Sequence, residues 1–334
     1  MKGIDWPALY RELAVIDNVV GVGRGVKTVR GESIGQEAAV VLVRKKYPRN
    51  ELARTAVVPK RIAGAVSDVM EVGDIRLLTE RTGVHRPARP GVSIGHYKVS
   101  AGTFGALVRD RSTGEALILS NNHVLANLTN GADGRSAVGD AILQPALYDG
   151  GDKDASVIGH LRRFVPLHGQ AVPPICRIAR SFETLINRII GTFRPQYRVQ
   201  VWRDNEAPNM VDCAVAAPVT ADAVAADVLD VGEVNGVREV TLGMAVKKSG
   251  RSSGLTTGIV LATDVTLRVD MSFGEYGVFA GQILAGPMSM PGDSGSLVLS
   301  EDNHAVGLLF AGSEQATMFT PIERVMDALD VTLP

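Results

Sequence analysis

From residue 92 onward the chain is a succession of short apolar runs, each broken after a few residues by glycine, aspartate, asparagine or serine. The runs 92–97, 103–109, 116–120, 139–143, 157–161, 245–248, 265–269, 281–284, 305–310 and 317–319 are too short for helices and are spaced by turn signals. That texture restricts the region to antiparallel β structure of the barrel or sandwich kind. The 36 glycines and only 5% aromatic residues point the same way, and 334 residues at 45% hydrophobic content suffice for two or three packed units.

The first part of the chain reads differently. Trp6, Leu9, Tyr10 and Leu13 share one face of a helix opened by Pro7. Two strands follow, over 19–29 and 38–43, then a charged stretch with a short helix near Asn50, then a strand through Ile62 and Val66 to Val72. Gly21-Val-Gly23-Arg-Gly25 has the look of a nucleotide loop without its lysine or its long helix, so it reads as a glycine-softened strand. Residues 1–84 are therefore expected as a small α+β domain. The proline-rich, basic stretch 83–91 reads as a linker to a second domain over 85–334.

One segment interrupts the strands. Ile178, Phe182, Leu185, Ile186 and Ile189 recur at helical spacing, which predicts a helix from Arg177 to a stop at Gly191, within an insertion over 168–196. Arg162, Arg163, Arg180, Arg188, Arg194, Arg198 and Arg203 surround it against Glu183 alone, so the region 162–203 is either a docking face for an acidic partner or phosphate, or a solvated face. Lys247, Lys248 and Arg251 read as the solvated face of a turn, and the acidic loop 149–154 as solvated rather than metal-binding, since it lacks a calcium-loop pattern. A short helix over 322–329 is expected at the end.

Composition limits the function classes. A net charge of -1 gives no global field toward nucleic acid or an anionic surface, and no run of about 18 apolar residues predicts a membrane span. Charged residues interrupt the first twenty positions, which reads as no secretory signal and a cytoplasmic protein. Cys176 and Cys213 are too few for a disulfide framework or a zinc site, and no metal or other cofactor is expected.

Three local features carry chemistry. Met290-Pro-Gly-Asp-Ser-Gly-Ser-Leu-Val-Leu places Ser294 on a tight turn between Gly292 and Gly295, whose backbone freedom can aim successive N–H groups at one point. A serine nucleophile needs a base. His123 stands at the end of an apolar strand, in Ser120-Asn-Asn-His, and Asp212 breaks the apolar stretch Met-Val-Asp-Cys-Ala-Val, where a carboxylate requires a partner.

The order His123, Asp212, Ser294, with Gly292-Asp-Ser-Gly-Ser296, Ser120-Asn-Asn-His123-Val and Val211-Asp-Cys-Ala-Val, resembles the trypsin-like (chymotrypsin-fold) serine protease family. Gly250-Arg-Ser-Ser-Gly-Leu-Thr-Thr-Gly258 adds the glycine-bounded strand common in bacterial members. Val20-Gly-Val-Gly and Pro59-Lys-Arg-Ile-Ala-Gly-Ala-Val are similar to intracellular bacterial members related to plant Narrow leaf 1. The resemblance implies a mainly β fold of two antiparallel six-stranded barrels, the first over about 92–218 and the second over about 238–320. It implies a serine endopeptidase acting on polypeptides, with His123, Asp212 and Ser294 as the triad and the N–H groups of Gly292 and Ser294 as the oxyanion hole. Met288, Ser289, Phe310, Ala311 and Gly312 would line the pocket for the residue before the cut bond, and none is acidic, so apolar or small residues are expected there.

Two departures stand out. In secreted relatives a freed N-terminus pairs with the aspartate before the serine, whereas here Asp293 lies far along the chain, so activation differs or is unnecessary. The helical insertion has no counterpart in small digestive enzymes and is free to gate the cleft, build a homo-oligomer or bind a regulator. An esterase, or a binding or scaffold protein that keeps the fold and rarely turns over, are the competing readings.

Overall fold

The computed structural model describes all residues except 1–2, 30–31, 74–80, 100, 170, 173, 175, 205–206, 273–274 and 334. Two compact units are present, Met1–Thr79 and Glu80–Pro334.

In the first unit the helix Trp6–Leu13 starts where the Asp5 carboxylate caps the Ala8 N–H at 3.1 Å, with Pro7 in its first turn, and turns Leu9 and Leu13 inward. Its core is shared with Val19, Ala39, Val41, Val43 and Ile62. The strands Val19–Val29 and Glu32–Val43 form an antiparallel hairpin, Glu32–Val43 pairs in parallel with Ala65–Glu71, and Arg61–Ile62 closes the other edge. The Gly21-Val-Gly-Arg-Gly25 run lies inside the first strand, paired with Leu42 to Ala38.

The second unit is mainly β. Ala245–Gly250, Gly254–Ser272, Glu275–Ala285, Leu297–Ser300, Ala305–Gly312 and Thr317–Pro321 close into a six-stranded barrel. The earlier strands form an eight-stranded sheet, to which Val331–Thr332 contributes one edge by pairing with Ala106–Asp110. Many of these strands are short continuous apolar runs buried on both faces: Leu297 and Leu299 join one core cluster and Val298 another. One core cluster runs through both halves, joining Leu117, Leu119 and Val215 to Leu297, Leu308, Val325 and Val331. The C-terminal helix spans Ile322–Leu329, as the periodicity requires.

The stretch 83–91 does not behave as a free linker. Arg86 donates to the Gln144 backbone carbonyl at 3.1 Å, and the Ala88 N–H donates to Ala223 O at 2.8 Å, so it is packed into the second unit. The insertion helix passes through the expected stop at Gly191 and runs from Arg177 to Phe193, where the Arg194 N–H closes the last turn on the Ile190 carbonyl. Residues 197–202 have no regular secondary structure and lead into a two-residue strand, Arg203–Asp204, that pairs with Ala171–Val172. Both cysteines are free, Cys176 exposed and Cys213 buried, with burial raising the Cys213 thiol well above its ordinary value.

Candidate active site

The strand Ala116–Ser120 ends at Asn121, and the chain makes a single helical turn, Asn122–Leu125, that carries His123. Its orientation is fixed from several sides. The Asn122 amide donates to the Thr129 and Val165 carbonyls at 3.0 and 2.6 Å and accepts from the Thr129 N–H, while Asn121 donates to the Asp212 carbonyl at 2.7 Å. The Ser-Asn-Asn-His sequence is thus a set of side-chain clamps that hold a tight turn, which explains two buried asparagines in an apolar setting.

Asp212 stands just before the strand Ala214–Pro218, which pairs with Ala116–Ser120, so adjacent strands bring the two residues together. The carboxylate Oδ2 lies 2.5 Å from His123 Nδ1, and Oδ1 accepts from the His123 backbone N–H at 3.3 Å. Asp212 is 3% exposed and His123 27%, so the acid is sealed behind the ring while the ring's other edge reaches solvent. This arrangement fixes the tautomer: Nδ1 carries the proton toward the carboxylate and Nε2 is left to accept.

Ser294 lies on the turn preceding Leu297–Ser300, with Gly292 at φ 98° and Gly295 at φ 92°, in the left-handed region that favours glycine. Among the described residues, neither the Gly292 nor the Ser294 N–H donates to another group of the chain. The Ser294 hydroxyl donates to the Phe310 carbonyl at 3.4 Å and forms no hydrogen bond with His123. The first sheet braces this turn: the Thr103 N–H donates to Ser294 O at 2.8 Å, and its hydroxyl to Gly292 O at 2.9 Å. Ser120, the first residue of the histidine motif, lies where a side chain on Gly295 would collide, its hydroxyl 2.0 Å from a Cβ placed there.

Gly295→Ala is therefore expected to cost roughly 2–5 kcal/mol, the left-handed conformation adding about 1–2 and the overlap with Ser120 and Thr103 about 1–3. Urea denaturation of the variant beside wild type measures it; a loss under about 1 kcal/mol would mean that the turn relaxes freely.

Asp293 is buried, and so is the lysine that meets it. Lys248 Nζ lies 3.0 Å from Asp293 Oδ2, and both side chains are 0% exposed. The carboxylate also accepts from Ser252 N at 2.8 Å, Ser253 N at 3.1 Å, the Ser253 hydroxyl at 2.5 Å and Met290 N at 2.8 Å. Burial alone would raise Asp293; the Lys248 ammonium and these donors outweigh it and hold the carboxyl below its usual range. Burial pulls the Lys248 ammonium below its ordinary value, against the pull of Asp293.

The expectation of a solvated turn at Lys248 and Arg251 is thereby corrected. Lys248 falls two residues after buried Val246 on a strand, hence on the same inward face. Arg251 pairs with Asp149 of the acidic loop and lies over the Tyr148 ring at 5.3 Å. The period-two register was the signal for Lys248, and the adjacency of two lysines concealed it.

Of the pocket candidates, Met288 and Phe310 are buried in apolar clusters, Phe310 stacked on Phe279 at 4.9 Å between centroids. What Phe310 presents to Ser294 is its carbonyl. Ser289 bonds the Thr317 hydroxyl at 2.9 Å and sits beside Gly312, where a Cβ would meet its hydroxyl at 2.5 Å. Ala311 is half-buried and Gly312 exposed, so this wall is small and uncharged. Among the described residues no cluster of His, Cys, Asp and Glu could hold a metal ion.

No family model matches the sequence, and no curated protein matches it. Solved structures are similar at low identity. Chymotrypsin of Cellulomonas bogoriensis is 16% identical with a TM-score of 0.45, over 74% of this chain and 98% of its own. Nocardiopsis protease is 14% identical with a TM-score of 0.47, over 74% and 99% respectively. Thermobifida fusca protease A is 16% identical with a TM-score of 0.45, over 74% and 98%.

Proposed function

We propose that this chain is a trypsin-like serine endopeptidase with Ser294 as nucleophile, His123 as base and Asp212 as the acid that orients the base. The observation that carries the reading is the 2.5 Å contact between the sealed Asp212 carboxylate and His123 Nδ1, beside a serine turn with free N–H groups. In the reaction the Ser294 hydroxyl leaves the Phe310 carbonyl, gives its proton to His123 Nε2 and bonds to the substrate carbonyl carbon. The oxygen of that carbonyl takes the negative charge and is held by the Gly292 and Ser294 N–H groups. His123 then protonates the departing amine, and water repeats the sequence on the acyl-enzyme. Small, uncharged groups at Ser289, Ala311 and Gly312 favour apolar or small residues before the cut bond.

Lys248 takes the place of a freed N-terminus. A buried ammonium built into the strand Ala245–Gly250 holds Asp293, and so the turn, without any cleavage of the chain.

Labelling with a fluorophosphonate tests the reading. Wild type should label, and Ser294→Ala, His123→Ala and Asp212→Ala should not; labelling of Ser294→Ala at the wild-type level would overturn the assignment. The resting hydrogen bond from Ser294 to Phe310 rather than to His123 favours a second reading, a protease-fold binding protein that does not turn over. Unlabelled wild type, with full cellular function in Ser294→Ala, selects that reading. An ester-only specificity would show as cleavage of acyl esters without cleavage of any member of a peptide library.

A further inference from the structure

The insertion leaves the second unit through a clamped neck. The Asn209 side chain accepts from the His168 N–H at 2.9 Å and donates to the His168 carbonyl at 2.8 Å, joining the two ends of the excursion. Beyond the neck lies the 17-residue helix Arg177–Phe193, and none of its residues is buried. A helix of this length gains little from its own hydrogen bonds and is stabilised mainly by covering its apolar face.

That face is uncovered. Ile178, Phe182, Leu185, Ile189 and Phe193 form one stripe, and each is between 50% and 79% exposed. The half-buried residues Ala179, Glu183, Ile186 and Ile190 lie to one side of it, and there the returning chain is fastened by Asn187 to Val199 at 2.7 and 2.8 Å. Arg177, Arg180 and Arg188 lie to the other side, and Arg180, Ser181, Thr184, Leu185 and Arg188 line a shallow groove beside the stripe.

Charge decides what fits. Arg162 and Arg163 belong to the fold, facing Glu115 and Asp110 at 3.9 and 2.7 Å. Arg177, Arg180, Arg188, Arg194, Arg198 and Arg203 are all exposed, and none forms an ion pair among the described residues. A second copy would set six unpaired arginines against six more. An anionic bilayer surface answers both features at once, receiving the apolar stripe at the acyl boundary and the arginines among its phosphates. Exposed Tyr197 and Trp202 beside the helix are of the type enriched at that depth. No helix among the described residues is long and apolar enough to cross a membrane.

We infer that the insertion helix Arg177–Phe193 is a surface anchor that lies in the interface of membranes rich in anionic phospholipid, with arginines on phosphate and Ile178, Phe182, Leu185, Ile189 and Phe193 in the acyl boundary. The anchor is independent of the chemistry proposed for Ser294.

The test is sedimentation of the full chain with vesicles of phosphatidylcholine and phosphatidylglycerol at 7:3, beside pure phosphatidylcholine. Binding should require phosphatidylglycerol, and Phe182→Ser with Leu185→Ser should weaken it at least tenfold. Arg180→Gln and Arg188→Gln should each weaken it roughly fivefold. In a Trp6→Phe background, Trp202 fluorescence should shift to the blue on binding. Because the helix is outside the core, the thermal midpoint of each variant should match wild type, and a variant that fails this check is replaced by Ile189→Ser. Three results overturn the proposal: no preference for phosphatidylglycerol; loss on arginine substitution with no loss on stripe substitution, which marks an acidic partner met by charge alone; or an oligomer in solution that the stripe substitutions dissociate, which marks a second copy.

Discussion

Asp212→Asn is expected to lower the turnover of an apolar peptide ester by about 10⁴-fold while leaving KM and the fold largely unchanged. The asparagine fills the same space against His123 but presents an N–H₂ or a neutral oxygen. The ring then loses the carboxylate that holds its proton on Nδ1 and that stabilises its cation during proton transfer. About 10⁴ corresponds to about 5.4 kcal/mol of transition-state stabilisation, far more than the contact could contribute to stability. Steady-state kinetics with active-site titration separates the two. A variant retaining more than a tenth of wild-type kcat would show that Asp212 is only a structural partner of His123.

Lys248→Met should be the most damaging substitution outside the triad. Removing one member of a buried pair strands the other charge, at a cost of about 3–5 kcal/mol, whereas neutralising both is often close to neutral. Lys248→Met with Asp293→Asn should therefore regain most of the stability that Lys248→Met loses. Fluorophosphonate labelling should stay low in both, because the turn at Gly292 and Ser294 has lost its anchor. Urea denaturation supplies the first comparison and labelling rates the second; equal stability of wild type and Lys248→Met would sink the account. The pH dependence has a definite sign. Asp293 is held below the ordinary carboxylate value, so its contribution is complete above the unfolded value of about 3.9 and is lost as pH falls through the lower folded one.

Much of this was legible beforehand. The helix Ile322–Leu329 follows from apolar spacing alone, and Asp212 announced a partner because a carboxylate within Met-Val-Asp-Cys-Ala-Val cannot be buried unpaired. What stayed hidden depends on distant chain. Lys248 looked solvated because its partner is 45 positions further on, and Asp149 looked solvated because Arg251 arrives from the other half. The first sheet has eight strands because the run expected over 103–109 is divided into Gly102–Thr103 and Ala106–Asp110, and because Val331–Thr332, too short to register by pattern, adds an edge. The place of Phe310 after the serine motif does not reveal where its ring goes: the ring stacks on Phe279, while the carbonyl accepts from the Ser294 hydroxyl.

The edge strand Val331–Thr332 also bears on how such a chain is made. It pairs with Ala106–Asp110, and Val325, Leu329 and Val331 sit in the core that Leu117 and Val215 share. During synthesis the histidine strand emerges some two hundred residues before the segment that completes its sheet, so the nascent first half has an open edge and an unfilled interior. The pairing of Val331–Thr332 with Ala106–Asp110 thus ties the folding of the first sheet to a distant part of the chain, a contact that no local segment can form alone.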